Sequence, residues 1–426
     1  MKSYFSLFFK GSILSVVTLG IIGVLNYSVR RYLVFNLSTY DYGLFYSILA
    51  LVSLAGSFAE FGLTQAGTVL IAEASLSSDN KKSLSSCFSC MFSFKLITSL
   101  FLFFLLLVFN VPIRYYYLKG VPLSLYVIGV SILLSQVTDT VFKSLWNGTK
   151  NYMIQNFLSV LQISLLCLLT IFLTKWFQVK GTALAFFIYP LVGGGVALLL
   201  AWKKIGIRLV VPDSKVFKRL FHLSGFVAIG TTLLNMTYQL NTVLLTSLNG
   251  VNASADYNIA LPIMQIIQTS MVFPYIFLPL AVQMVKKNDY RVILRYRFWA
   301  TVMTTILVPL FFVLFYYLSP FLVRFLFAER YIFVAPTVTI LCSGQLLYTY
   351  GSFLMQIVIA LNEVRSMAVF AVTTFFLNLI LGIFLIPSFG IAGAASATFL
   401  AYLFFAVTMN SLLSRLLRKR LQQPVL

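Results

Sequence analysis

Apolar residues run along this chain in long blocks, broken by turn residues and charges. The blocks fall at about 12–35, 42–70, 84–109, 122–146, 152–174, 181–202, 223–248, 257–283, 298–318, 333–360, 366–386 and 391–413. About 20 apolar residues carry a helix across the hydrocarbon layer of a bilayer. The pattern therefore predicts an all-α polytopic membrane protein with twelve transmembrane helices. The first block follows Lys2 and Lys10 and is too long for the core of a signal peptide, so it counts as helix one.

Composition agrees with the pattern. Of 426 residues, 60% are hydrophobic and 10% charged, against about 25% charged in a soluble domain. No room is left for a sizeable aqueous domain. A net charge of +21 would point to nucleic acid in a soluble chain. In a membrane protein it reflects basic residues gathered in cytoplasmic loops, and no nucleic-acid partner is expected. With the N-terminus inside, the loops on that side hold 22 Lys and Arg, including Lys143, Lys150, six between 203 and 219 and five between 286 and 297. The opposite side holds at most 8, and Lys95 lies within a helix. That bias places both termini in the cytoplasm.

The chain divides into two halves of six helices. A basic stretch, 206–221, is the expected cytoplasmic linker between an N-terminal lobe, 1–205, and a C-terminal lobe, 222–414; residues 415–426 form a basic cytoplasmic tail. At an offset of 215, Leu25-Asn26 matches Leu240-Asn241, Asp41-Tyr42 matches Asp256-Tyr257, and Asn147 matches Asn362. At an offset of 212, Gly181, Ala183, Ala185 and Phe187 match Gly393, Ala395, Ala397 and Phe399. An even number of helices per half makes the repeat parallel, with a pseudo-two-fold axis along the membrane normal, as in alternating-access transporters.

Several chemistries are excluded. There is no G-x-x-x-x-G-K-[ST] and no loop long enough for a nucleotide-binding domain, so the chain itself does not hydrolyse ATP. No H-E-x-x-H or G-x-S-x-G occurs. The one histidine, His222, sits in a basic loop, and Cys87-x-x-Cys90 has neither a second pair nor a nearby histidine to complete a metal site. The outer loops are short and poor in carboxylates, which argues against a membrane-embedded glycan polymerase or ligase. No selectivity-filter segment points to a channel. A transporter, not an enzyme, is expected, without a cofactor; whether H+ or Na+ couples transport stays open.

Three segments carry a resemblance. Asn36-Leu-Ser-Thr-Tyr-Asp-Tyr-Gly-Leu-Phe45, Phe58-Ala-Glu-Phe-Gly-Leu63 and Phe389-Gly-Ile-Ala-Gly-Ala-Ala395 resemble the first outer loop, the helix-two stretch and the start of helix twelve in polysaccharide flippases. These are the Wzx-type O-antigen and capsule repeat-unit exporters of the multidrug/oligosaccharidyl-lipid/polysaccharide transporter superfamily. The resemblance implies an oligosaccharide repeat unit linked to undecaprenyl diphosphate, moved to the outer leaflet of the bacterial inner membrane by alternating access. It implies membrane lipids as partners, with polysaccharide polymerase machinery as a further candidate. Drug antiporters of the same superfamily share the helix count and form the alternative reading.

Charged residues inside helices cost roughly 2.5–3.5 kcal/mol on insertion scales and normally face a cavity or a partner. Lys95, near the middle of helix three, and Arg30, in the outer third of helix one, are the candidates for binding the diphosphate. Arg31 reads as an interfacial anchor, and Arg30 has that reading as its alternative. Asp139 and Glu60 are candidates for a coupling or counter-charge role. Their structural alternatives are an ion pair of Asp139 with Lys143 and exposure of Glu60 at the interface. The second half carries amides instead. Gln239, Asn241, Gln268 and Gln345 are candidate sugar contacts, the alternative being bonds that tie helices together.

Overall fold

The computed structural model describes residues 2–76, 80–270 and 273–422, excepting the side chains of 2–17 and of several positions near 65, 80, 222–235 and 268–286. The described residues form helices joined by short turns, with no strand among them. The twelve expected spans are present. Helix one is α1 (Lys2–Asn36), and helix two is split into α2 (Thr39–Glu60) and α3 (Leu63–Ala74). Helix three is α4 (Asn80–Val108), followed by a short turn, α5 (Asn110–Pro112), and a π-helical turn over Ile113–Tyr117. Helix four is split into α6 (Leu123–Ser135) and α7 (Val137–Gly148). Helices five and six make up α8 (Tyr152–Ile205), and helix seven is α9 (Ser214–Asn249). Helix eight comprises α10 (Val251–Ser270) and α11 (Phe273–Lys286), and helix nine is α12 (Tyr290–Leu326). Helix ten is α13 (Ala335–Ala360), and helices eleven and twelve make up α14 (Val364–Gln422).

The two longest elements each hold two spans, for a geometric reason. A straight helix the length of α8 would run about 80 Å, far beyond a bilayer core of about 30 Å. At Gln178 the backbone turns to φ 52, ψ −135 and the chain folds back. The hydroxyls of Thr174 and Thr182 then meet at 2.9 Å, although eight residues of straight helix would hold them about 12 Å apart. Gly390 repeats this turn in α14 at φ 52, ψ −129. Beyond each turn a glycine packs directly on backbone: a Cβ at Gly181 would strike the carbonyl oxygen of Leu173, and one at Gly393 that of Leu385. These pairs share the offset of 212 read from the sequence. Left-handed Lys150 (φ 59) and Asn362 (φ 64) share it too. Asn362 is thus the counterpart of Lys150 and not, as the larger offset suggests, of Asn147.

The chain forms two compact units, Met1–Ala228 and Ile229–Leu426. In the first, α6 and α7 form the central span, with 61% of its apolar window buried; in the second, the central span leading into α13 reaches 67%. The outermost spans also correspond, since only 17% of the window is buried in both α4 and α12. They expose Phe101, Phe104 and Val108, and Phe312, Phe321 and Phe325, respectively, apolar faces suited to lipid. The tyrosine of the repeated Asp-Tyr pair is buried in each unit, Tyr42 at 1% exposure and Tyr257 at 0%.

The segment expected as a linker is docked on the first unit. Ser85 and Ser89 of α4 accept hydrogen bonds from the backbone N–H groups of Arg208 and Val210 at 3.2 and 2.9 Å. Arg219 pairs with Glu73 of α3 at 2.7 Å, and Phe217 packs on Phe94. Residues 214–221 already belong to α9. The boundary between the compact units falls after Ala228, beyond the expected end of the linker.

Candidate functional site

The break in helix two creates the site. Phe61 (φ 37) and Gly62 (φ 69) both take the left-handed conformation, so α2 ends and α3 restarts at a new angle. The last carbonyls of a helix have no intrahelical donor. One of them, Ala59, accepts a hydrogen bond from Thr98 Oγ1 of α4 at 3.2 Å. One turn earlier on α4, Lys95 donates from Nζ to the carbonyl oxygen of Gly56 at 3.3 Å. Lys95 stands halfway along α4 and is only 3% exposed.

Around Lys95 lies a cavity of about 420 Å³, built entirely from the first unit. This size is within the usual range for small-molecule sites, roughly 300–1,000 Å³. Lys95, Glu60, Asp139 and Lys143 bring its charges; Asn26, Gln136, Gln162 and Tyr189 are among its polar lining groups.

The four charges differ in how well they are matched. Asp139 and Lys143, one helical turn apart on α7, form an ion pair at 2.6 Å. Glu60 accepts from Thr64 Oγ1 at 2.5 Å. A hydrogen bond from an ammonium to an oxygen is normally about 2.7–2.9 Å when charge-assisted, so the 3.3 Å bond of Lys95 is long, and its acceptor is a neutral carbonyl. Among the described residues it is the only hydrogen bond of the Lys95 ammonium. An ammonium has three donors, leaving two for whatever occupies the cavity. The site thus contains a matched ion pair, a hydrogen-bonded carboxylate and a cation with capacity for an anion.

The structure brings Lys95, Glu60 and Asp139 together and leaves Arg30 outside the cavity lining. Arg30 follows Ile22 and Asn26, which do line it, on the same face of α1 at four-residue steps, but its guanidinium lies over the Tyr46 ring, 4.9 Å from the centroid. Arg31 stacks on Phe35 at 5.3 Å and donates to Tyr27 OH at 3.1 Å. Lys143, which the charge pattern assigns to a cytoplasmic loop, is a helical residue lining the cavity; moving it leaves the charge bias between loops intact. Glu60 is half-buried at the cavity and not exposed as its structural alternative supposed.

The amides of the second unit mostly tie helices together. Asn241 of α9 is fully buried; its Nδ2 donates to the carbonyl oxygen of Ala394 at 3.2 Å and to Thr398 Oγ1 at 2.6 Å, and its Oδ1 accepts from Asn378 Nδ2 at 3.1 Å. One residue joins two legs of α14 to α9. Gln345, 1% exposed, accepts from the Tyr238 hydroxyl at 2.8 Å. Gln239 differs, since its buried Oε1 has no partner among the described residues. The side chain of Gln268 lies outside the described residues. The amides that do line the described cavity, Asn26, Gln136 and Gln162, belong to the first unit. Their signal in the sequence is the same as in the second half, an amide within an apolar run.

Comparison with known proteins places this geometry. A family model described as "Polysaccharide biosynthesis protein" matches residues 8–285. A membrane protein of Methanocaldococcus jannaschii, described as uncharacterized, is 25% identical over 415 residues, covering 92% of this chain and 81% of its own. Among solved structures, an inward-facing multidrug resistance MATE family transporter of the MOP superfamily superimposes with a TM-score of 0.75 at 12% identity, over 96% of both chains. The lipid II flippase MurJ in an inward closed conformation gives 0.71 at 14% identity, over 97% of this chain and 90% of its own. The fold is that of the twelve-helix, two-lobe transporters of this superfamily.

Proposed function

The chain belongs to the polysaccharide biosynthesis protein family, and on that premise we propose that it flips a lipid-linked oligosaccharide repeat unit across the bacterial inner membrane by alternating access, in the synthesis of O-antigen or another surface polysaccharide. The carrier is undecaprenyl diphosphate. Lys95 supports this reading most, as a buried cation with unused donors at mid-membrane in a polar cavity. A diphosphate crossing the bilayer needs compensating positive charge, because an unpaired ion there is costly.

In this scheme Lys95 binds the diphosphate as a compact charge able to follow the moving group. Arg30, next outward on the face of α1 that carries Asn26, serves as an outer station. Its planar guanidinium suits two phosphate oxygens at once. Asp139 and Glu60 act as counter-charges, or as binding groups for a coupling H+ or Na+. The sugars stay in aqueous, amide-lined space while the prenyl tail remains in lipid. No covalent step is assigned to the chain.

The cavity carboxylates favour a second reading, an antiporter for cationic drugs. Against it, Asp139 is already matched by Lys143 and Lys95 would repel a cation. A deletion strain separates the two: the flippase reading expects lipid-linked repeat units to accumulate on the inner leaflet. Normal surface glycan with altered drug tolerance would instead support the antiporter.

We place both termini in the cytoplasm. Reporter fusions after Asn110, Gly206 and Val251 should read outside, inside and outside; reversal at any of the three breaks this topology.

A further inference from the structure

We propose that Asn26, Gln136 and Gln162 form the subsite for the sugar adjoining the diphosphate, and that Gly193 sets the position of Gln162; the proposal rests on the flippase reading above. The amides within the apolar runs divide by what they bond. Asn241 and Gln345 of the second unit spend hydrogen-bonding groups on neighbouring helices. Among the described residues, the side-chain amides of Asn26, Gln136 and Gln162 bond to no protein group; Asn26 is exposed and the two glutamines are half-buried, and all three line the cavity that contains Lys95. Each offers two donors and an acceptor. An array of donors and acceptors beside the Lys95 ammonium matches the chemistry of a sugar attached to a phosphate. Its hydroxyls both donate and accept, and they need matched partners once water is displaced.

The glycines of helix six support the subsite. A Cβ at Gly193 would stand 2.5 Å from Gln162 Cγ and 2.8 Å from its Nε2. Only glycine leaves the amide its place, and the atoms displaced by a methyl group are the outer part of a flexible side chain. Gly193→Ala should therefore move Gln162 and leave the fold intact. Gly195, where a Cβ meets nothing within 4 Å, is the control on the same helix.

The test is binding to purified protein of undecaprenyl diphosphate, bare or carrying glucose, galactose or N-acetylglucosamine, by native mass spectrometry. A net hydrogen bond of about 1 kcal/mol is worth roughly fivefold in affinity, so two such bonds give the preferred sugar-bearing carrier an advantage of about 25-fold over the bare one. Gln162→Leu and Gly193→Ala should each cut this advantage by at least about threefold without changing bare-carrier binding. Gly195→Ala should change neither. Lys95→Gln should weaken bare and sugar-bearing carriers alike. The subsite is overturned if wild-type protein shows no sugar advantage, if Gln162→Leu preserves it, or if that change weakens both carriers equally. A wild-type protein that does not bind the bare carrier overturns the flippase reading as well.

Discussion

Lys95→Gln should lower export of the lipid-linked repeat unit by at least about tenfold at matched membrane expression, with little loss of folded protein. A hydrogen bond to a charged group contributes about 1.5–3 kcal/mol, and the long bond to Gly56 leaves Lys95 free to make stronger ones to a phosphate. Folding should tolerate the change because no carboxylate loses its hydrogen-bond partner: Asp139 keeps Lys143 and Glu60 keeps Thr64. Lys95→Arg should retain part of the activity, since charge survives while the shape of the head changes. Arg30→Lys should be weaker than wild type, having lost the planar fork, and Arg30→Ala should cost less than Lys95→Gln because Arg30 lies outside the cavity lining. Alanine at Gln239, Gln268 or Gln345 should also cost less than Lys95→Ala. Comparable losses from the glutamine changes would shift the binding role to the second unit; full export by Lys95→Gln would remove Lys95 from the site.

The second large effect concerns the fold. Gly181→Ala and Gly393→Ala should each destabilise the protein by about 3 kcal/mol or more, toward the upper range for overpacking. The added methyl group meets a backbone carbonyl in the opposing helix leg, which cannot rotate away as a side chain does. In a unit of about 200 residues this corresponds to a melting temperature lower by about 6 °C or more. Thermal unfolding in detergent measures it, with Gly195→Ala as the unaffected control. Equal stability of Gly181→Ala and wild type would show that the hairpin legs separate readily. A loss at only one of the two glycines would deny that the repeat extends to this contact.

The fold was legible because the bilayer imposes a simple code. Twelve apolar blocks gave twelve spans; the break in helix two falls at Phe61 and Gly62, inside a single apolar block. What the blocks could not show was where a helix continues past its apolar part: residues 214–221 look like a charged linker, yet they form the first turns of α9 and pack on α3 and α4. The repeat was also legible, but its offset shifts from 215 to 212 between the early and late helices. Single matches such as Asn147 with Asn362 can fall on the wrong register for that reason.

The site was legible in its charges and less so in its amides. Lys95 and Asp139 stand out because an ionisable group in an apolar run needs a compensating environment. Amides carry no such mark. Asn26 and Asn241 are equivalent in the repeat, yet one lines a cavity and the other ties α9 to α14. Only packing distinguishes the amide with a partner from the amide without one. Arg30 shows the same limit: its depth on α1 suggested a cavity position, but the Tyr46 ring beside it was not deducible from α1 alone.

Flipping by purified protein in vesicles reads transport without the rest of the cell. A fluorescent oligosaccharide on undecaprenyl diphosphate is incorporated with the protein, an H+ or Na+ gradient is imposed, and an impermeant quencher reads the outer leaflet. Wild-type protein should raise the rate at which inner-leaflet label becomes accessible well above that of protein-free vesicles, and Lys95→Gln should return it close to that baseline. Wild-type vesicles indistinguishable from protein-free ones under both gradients, or flipping undiminished by Lys95→Gln, would contradict the account.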